Sequence, residues 1–142
     1  MRYLDTSILV AALTHERRTG EIQRWLAGQA PEELTISEWS IVEFSSALAL
    51  KLRSNQLQPE HRAAALAMFT RLTEDSLTVL PVSGLDFRTA ARFADQHTTG
   101  LRSGDALHLG IVAHHGAHLI TLDQPMATAA PAAELGCRPE PE

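Results

Sequence analysis

Met1-Arg2-Tyr3-Leu4-Asp5-Thr6-Ser7-Ile8-Leu9-Val10-Ala11-Ala12-Leu13 opens the chain. Met1 to Leu4 is a short apolar start that stops at Asp5, after which Ile8, Leu9, Ala12 and Leu13 recur at helical spacing. This is the pattern of a strand, a turn and a helix. The same order returns near the other end, where His118 to Leu122 is strand-like, Asp123 follows, and an Ala-rich helix from Pro125 to Leu135 ends at Gly136. Ligands of open α/β sheets sit outside the carboxyl ends of the strands. That rule singles out Asp5 and Asp123, because they follow the first and last clear strands.

The elements between fit the same scheme. Ile22, Trp25 and Leu26 suggest a second helix, ended by the Gly28 to Pro31 stretch, and Leu34 to Ile36 is short and apolar. Ser37 suits the N-cap of a helix that runs without Gly or Pro through Trp39, Val42, Leu48 and Leu52 to about Arg53. Pro59 sits where a first-turn proline is favoured, and opens a helix through Leu66, Phe69 and Leu72. Leu77 to Val82 alternates like a strand, with Pro81 suited to its end. Asp86 to His97 looks helical. Ser103 can cap a helix from Gly104 to His115, closed by Gly116. Strands alternating with helices predict an α/β fold with a mainly parallel sheet flanked by helices.

The chain has 142 residues, the usual size of one domain, and no internal repeat or interdomain linker is visible. Pro139 to Glu142 has little to bury and reads as a frayed tail. The single Cys137 cannot close an internal disulfide and has no zinc-finger company, so a reducing, cytoplasmic setting is expected. Asp5 falls where a secretion signal needs apolar residues, and no apolar run approaches the roughly 18 residues that span a bilayer. No membrane association is expected.

Twelve Lys and Arg against seventeen Asp and Glu give a net charge of −5, which argues against bulk attraction to nucleic acid. Eleven of the twelve bases are Arg, suited to forked contacts with phosphate. If four acids were gathered at a metal site, the remaining thirteen would nearly balance the twelve bases. An RNA substrate is allowed by this charge distribution, though not demanded by it.

Four acids stand apart. Asp5 is the one charged residue between Tyr3 and Leu13, Glu43 between Trp39 and Leu50, Asp105 between Gly104 and Ala113, and Asp123 between Leu119 and Ala130. Most other acids have charged company, such as Asp86 near Arg88, and read as solvated surface. An ionised carboxylate in an apolar setting costs several kcal/mol unless cations or donors meet it. Helix capping is a sufficient explanation for Asp5, Asp105 or Asp123 taken alone. It does not explain Glu43, in mid-helix on a side shared with Trp39, Ala47 and Leu50, for which a salt bridge to an Arg elsewhere is the alternative. If all four converge, mutual repulsion requires a positive centre. Oxygen ligands suit Mg²⁺ or Mn²⁺, which act on phosphate esters by activating water and steadying the developing charge. The implied chemistry is phosphodiester hydrolysis.

Asp5-Thr6-Ser7 after a first strand, Glu43 in the third helix, Leu101-Arg102-Ser103-Gly104-Asp105-Ala106-Leu107-His108 and Leu119-Ile120-Thr121-Leu122-Asp123 together resemble a PIN domain. Within that family the chain is most similar to the VapC ribonuclease toxins of bacterial toxin–antitoxin pairs. The likeness extends over nearly the whole chain in order and spacing. Its most specific part is the Arg-x-x-Asp-Ala-Leu-His block. The resemblance implies a single domain over residues 1–142 with a three-layer α/β/α fold. It implies an acidic quartet of Asp5, Glu43, Asp105 and Asp123, with Asp5 and Asp105 as principal ligands of Mg²⁺ (or Mn²⁺) and Thr6, Ser7 and Thr121 in support. It also implies endonucleolytic cleavage of RNA such as tRNA or rRNA, a homodimer, and a VapB-type antitoxin whose segment covers the cleft. Residue 104 is variable in this pattern.

Competing readings remain. A PIN nuclease without an antitoxin, or a PIN interaction module of weak activity, would share these motifs. A phosphotransfer domain also places Asp after its first strand, but needs a second acid beside it and a suitably placed Lys. Here Thr6 and Ser7 stand there, and the sole lysine, Lys51, lies late in a helix. His108, His114, His115 and His118 fall within eleven residues and read as polar helix-end residues rather than a zinc site. Trp25 and Trp39 read as core or interface anchors, and Arg17, Arg18 and Arg24 as a solvated face suited to guiding a phosphate backbone.

Overall fold

The computed structural model describes residues 1–132. Cys137, the end of the last helix beyond residue 132 and the Pro139 to Glu142 tail lie outside the described residues. Four short strands, β1 (Arg2–Leu4), β2 (Leu34–Ser37), β3 (Thr78–Leu80) and β4 (His118–Ile120), form one sheet in the order β3-β2-β1-β4. All three pairings are parallel, with Tyr3 beside Thr35 and Leu119. The helices are α1 (Thr6–Leu13), α2 (Thr19–Ala27), α3 (Glu38–Arg53), α4 (Pro59–Asp75), α5 (Gly84–Asp95), α6 (Ser103–His115) and α7 (Gln124–Ala132). This is a three-layer α/β/α fold with a central four-stranded parallel sheet.

Successive side chains on a strand face opposite sides, and the core divides accordingly. Leu4, Ile36 and Ile120 join the cluster beneath α1 to α4. Tyr3, Leu80 and Leu119 join the cluster beneath α5 to α7. Helix α1 is buried nearly all round, which suits its run Ile8-Leu9-Val10-Ala11-Ala12. Phe44 of α3 stacks on Phe69 of α4 with ring centroids 4.2 Å apart, tying the first layer together. In the second layer α5 and α6 meet backbone to backbone. A Cβ at Gly110 would stand 2.7 Å from the Asp86 carbonyl oxygen, so only glycine permits this approach.

The chain leaves β1 for β2 and β3 on one side, then returns through α5 and α6 to β4 on the other. The order of the sheet therefore reverses between β1 and β4, and a crevice opens beyond their carboxyl ends. Pro59 is the first residue of α4, and Ser37 caps α3, as the sequence predicts. Three expectations need correction. Helix α5 runs Gly84–Asp95 with Ser83 as its cap, and His97 lies in a separate single turn. Ser103 begins α6 instead of capping it, because the Asp105 carboxylate accepts the Arg102 N–H and draws Arg102 into the cap position. Asp86 is fully buried, not solvated. No helix among the described residues is long and apolar enough to cross a membrane.

Candidate functional site

Asp5 enters the crevice from the end of β1. Its N–H donates to the Ile120 carbonyl (2.9 Å), which fixes the chain beside β4, and its carboxylate caps α1. Oδ2 accepts from the hydroxyls of Ser7 (2.7 Å) and Thr121 (2.8 Å), with a longer contact from the Ser7 N–H. Asp123 is held by the same loop: its N–H donates to Thr121 Oγ1 (2.9 Å), and its Oδ1 accepts the Met126 N–H (3.0 Å) at the start of α7. The hydroxyl of Thr121 thus joins two of the sequence-predicted acids.

Glu43 reaches the crevice from the middle of α3. Its Oε1 accepts from Thr6 Oγ1 (2.7 Å) and forms a very short contact with His108 Nε2. Burial pushes this carboxyl up, but the His108 and Thr6 hydrogen bonds outweigh burial and hold it below the ordinary range. Asp105 arrives from the first turn of α6, where its Oδ2 accepts the Arg102 N–H at 3.3 Å. Burial pushes Asp105 upward; the Arg102 N–H opposes this, while the negative charges of Asp123, Asp5 and Glu43 add to the rise. Each of the other three predicted acids is therefore near enough to make ionisation of Asp105 harder.

Each carboxylate is divided in the same way. One oxygen, Asp5 Oδ2, Glu43 Oε1, Asp105 Oδ2 or Asp123 Oδ1, is occupied by protein donors. The other oxygen of each has no hydrogen-bond partner among the described residues. Helix capping accounts for the occupied oxygens of Asp5, Asp105 and Asp123 but leaves one oxygen of each carboxylate open; of the four acids, Asp5 and Glu43 come together with His108 within 4.8 Å, and Asp105 and Asp123 lie outside that group. The donor set is hard and anionic, and its mutual repulsion raises Asp105. It fits a hard divalent cation.

Behind these carboxylates stand His108, which the sequence pattern included without assigning it a role, and Tyr3, which it did not single out. His108 is 0% exposed in the middle of α6, so it is not the helix-end residue expected. Its Nε2 lies 3.6 Å from Asp5 Oδ1, and ligand atoms of Asp5, Glu43 and His108 fall within 4.8 Å of one another. Tyr3, also 0% exposed, places its hydroxyl 2.7 Å from His108 Nδ1 and 2.8 Å from Ser37 Oγ. A signal for His108 was present: it lies one turn beyond Asp105, on the same helix face. His114 does occupy the last turn of α6, and its Nδ1 meets the buried Asp86 at 2.7 Å.

Space at the crevice depends on Gly104. A Cβ there would stand 2.7 Å from Glu43 Oε2 and 3.4 Å from the Trp39 ring, so a side chain at this position would displace the Glu43 carboxylate. Beside it opens a cavity of about 450 Å³ lined by Trp39, Val42, Glu43, Ser46, Arg102 and Asp105, among others. Trp39 and Trp25 each pack at the margin of a core cluster. Arg18 pairs with Glu21 at 2.7 Å.

The PIN domain family model matches residues 2–130. No curated protein matches the sequence. Among solved structures, VapC20 of Mycobacterium tuberculosis, a sarcin-ricin loop cleaving toxin, is similar with a TM-score of 0.73 and 20% identity, covering 91% of this chain and 95% of that one. FitAcB from Neisseria gonorrhoeae is similar with a TM-score of 0.71 and 18% identity over 98% and 97% of the two chains. VapBC2 from Rickettsia felis, bound to a fragment of its promoter DNA, gives a TM-score of 0.69 and 17% identity over 97% and 98%.

Proposed function

The chain belongs to the PIN domain family, whose members are nucleases, and from that premise we propose that it is a Mg²⁺-dependent endoribonuclease of the VapC type. In this reading residues 1–142 act as one domain, Mn²⁺ can replace Mg²⁺, and the protein is a homodimeric toxin held in check by a VapB-type antitoxin. The carrying observation is the set of four open carboxylate oxygens, one from each of Asp5, Glu43, Asp105 and Asp123. Similarity in fold to proteins described as VapC and VapBC supports the toxin assignment, and the description of one neighbour as a sarcin-ricin loop cleaving toxin supports RNA as the substrate class.

Asp5 and Asp105 would hold the ion through their open oxygens, while Ser7, Thr121 and the Arg102 N–H keep the opposite oxygens in place. A divalent ion held by these residues would supply positive charge, lowering the pKa of bound water and offsetting charge on the phosphate. Glu43, kept ionised by Thr6 and His108, and Asp123 orient the attacking water and accept its proton. Attack in line with the departing 3′-oxygen breaks the P–O3′ bond and leaves 5′-phosphate and 3′-hydroxyl ends. The antitoxin masks the same crevice, where a guanidinium satisfies the open oxygens as well as a metal ion does.

Purified protein incubated with total RNA tests the activity. Cleavage is expected with Mg²⁺ and is lost with EDTA or in Asp5→Ala; equal cleavage in all three rejects the assignment. Growth arrest on induced expression, abolished by Asp105→Ala, is expected of a toxin. Co-purification with the product of an adjacent gene tests the antitoxin, and an active protein that never binds such a product counts against it.

A further inference from the structure

His108 lies close enough to Asp5 and Glu43 to be mistaken for a third ligand of the ion. The hydrogen bonds behind it indicate otherwise. Ser37 Oγ lies 2.8 Å and Ser40 Oγ 3.4 Å from the Tyr3 hydroxyl, so a serine proton is available to donate to the phenol oxygen. The Tyr3 hydroxyl can then donate to His108 Nδ1 at 2.7 Å. A ring nitrogen that accepts at Nδ1 carries its proton at Nε2. If the Tyr3–His108 bond ran the other way, Nε2 could be bare, but its lone pair would then face a carboxylate oxygen of Glu43 across a very short contact. A carboxylate there has no proton to place between them, so two lone pairs would meet. The arrangement that satisfies every group has an N–H on Nε2.

Resting on the metal-nuclease reading above, we infer that His108 is a positioning residue that donates from Nε2 to Glu43, with Asp5 beside it, and is not a ligand of the ion. Tyr3 and Ser37 fix the ring in that role. The consequence is geometric. Glu43 Oε1 is held by His108 and Thr6 together, which restrains the carboxylate and leaves Oε2 turned toward Gly104. The N-cap of α3 is thus linked, across β1 and α6, to the functional side chain in the middle of the same helix.

The full chain loaded with Mn²⁺ tests this by pulsed electron paramagnetic resonance. No strongly coupled, directly coordinated ¹⁴N is expected; a directly bound imidazole nitrogen overturns the inference while leaving the nuclease reading intact. Calorimetric Mn²⁺ titration of three variants, each first checked for a cooperative thermal melt, adds a second readout. His108→Ala should weaken binding about tenfold or more, as loss of a group orienting a metal ligand does, whereas His108→Gln, whose amide N–H reaches the Nε2 position, should recover to within roughly threefold. His108→Asn, whose amide sits at the Nδ1 position, should not recover. Binding unchanged in His108→Ala, or equally weak in the Ala and Gln variants, overturns the inference. A wild-type chain that takes up no Mn²⁺ overturns both this inference and the function on which it rests.

Discussion

Helices α5 and α6 begin alike, with an aspartate at the third position whose carboxylate accepts the N–H of the cap residue, yet Asp86 and Asp105 are driven in opposite directions. Burial raises Asp86, but the Ser83 N–H and His114 more than compensate, and its carboxyl is held below the ordinary range. Burial also raises Asp105, and there three further acids add to the rise. The local motif is the same and the surroundings are not. Asp86 uses its charge to join the start of α5 to the end of α6; Asp105 keeps an open oxygen and an unfavourable charge that a cation would relieve. A carboxylate whose fold leaves it worse off is the better candidate for function.

The largest effect that could break this contrast is on activity. Asp105→Asn should lower RNA cleavage by about a thousandfold or more, as loss of a member of a concerted catalytic set does, while Asp86→Asn, corrected for folded protein, should cleave near the wild-type rate. Comparable losses in both variants would erase the distinction. Next in size is stability. Asp86→Ala leaves the Ser83 N–H and His114 without their buried partner and should cost about 2–3 kcal/mol in urea unfolding. Without metal, Asp105→Asn should instead melt at or slightly above the wild-type temperature at neutral pH.

The pH dependence sharpens the same comparison with smaller effects. Asp86 is lowered on folding, so its contribution is present above the usual aspartate value near 4 and is lost as pH falls through its folded value. The stability gap between wild type and Asp86→Asn should therefore close in acid. Asp105 is raised, so its ionised form disfavours the metal-free fold at neutral pH, and this cost disappears as acid protonates it. The advantage of Asp105→Asn should accordingly vanish in acid and reverse at neutral pH with saturating Mg²⁺. Smallest of all, His114→Ala removes one partner of a pair whose histidine is 42% exposed, and should cost about 1 kcal/mol or less.

The alternation of strands and helices was legible because apolar periodicity changes cleanly at Asp5, Ser37 and Gly116. Strand lengths were less so: β3 covers only Thr78–Leu80 of the apolar stretch from Leu77 to Val82, since pairing with β2, not hydrophobicity, sets its limits. The isolation of Asp5, Glu43, Asp105 and Asp123 in apolar windows singled out four acids, of which Asp5 and Glu43 meet beside His108, while the charges of Asp5, Glu43 and Asp123 are felt at Asp105. Asp86 was misread because Arg88 looked like its partner, yet residues two apart on a helix face different ways, and the true partner is His114. His108 was visible in the Arg-x-x-Asp-Ala-Leu-His block but was read as a polar helix-end residue along with its neighbouring histidines. Its role depends on Tyr3 and Glu43, which are distant in sequence and meet it through the stacking of α6 over β1 and against α3.

The convergence of the four open oxygens is tested most directly by anomalous X-ray scattering from a crystal grown with Mn²⁺. The account predicts a manganese peak in the crevice beyond β1 and β4, at about 2.0–2.3 Å from open oxygens of Asp5 and Asp105, with Glu43 and Asp123 facing it. A crystal saturated with Mn²⁺ that shows no peak there, or shows it away from these carboxylates, would contradict it.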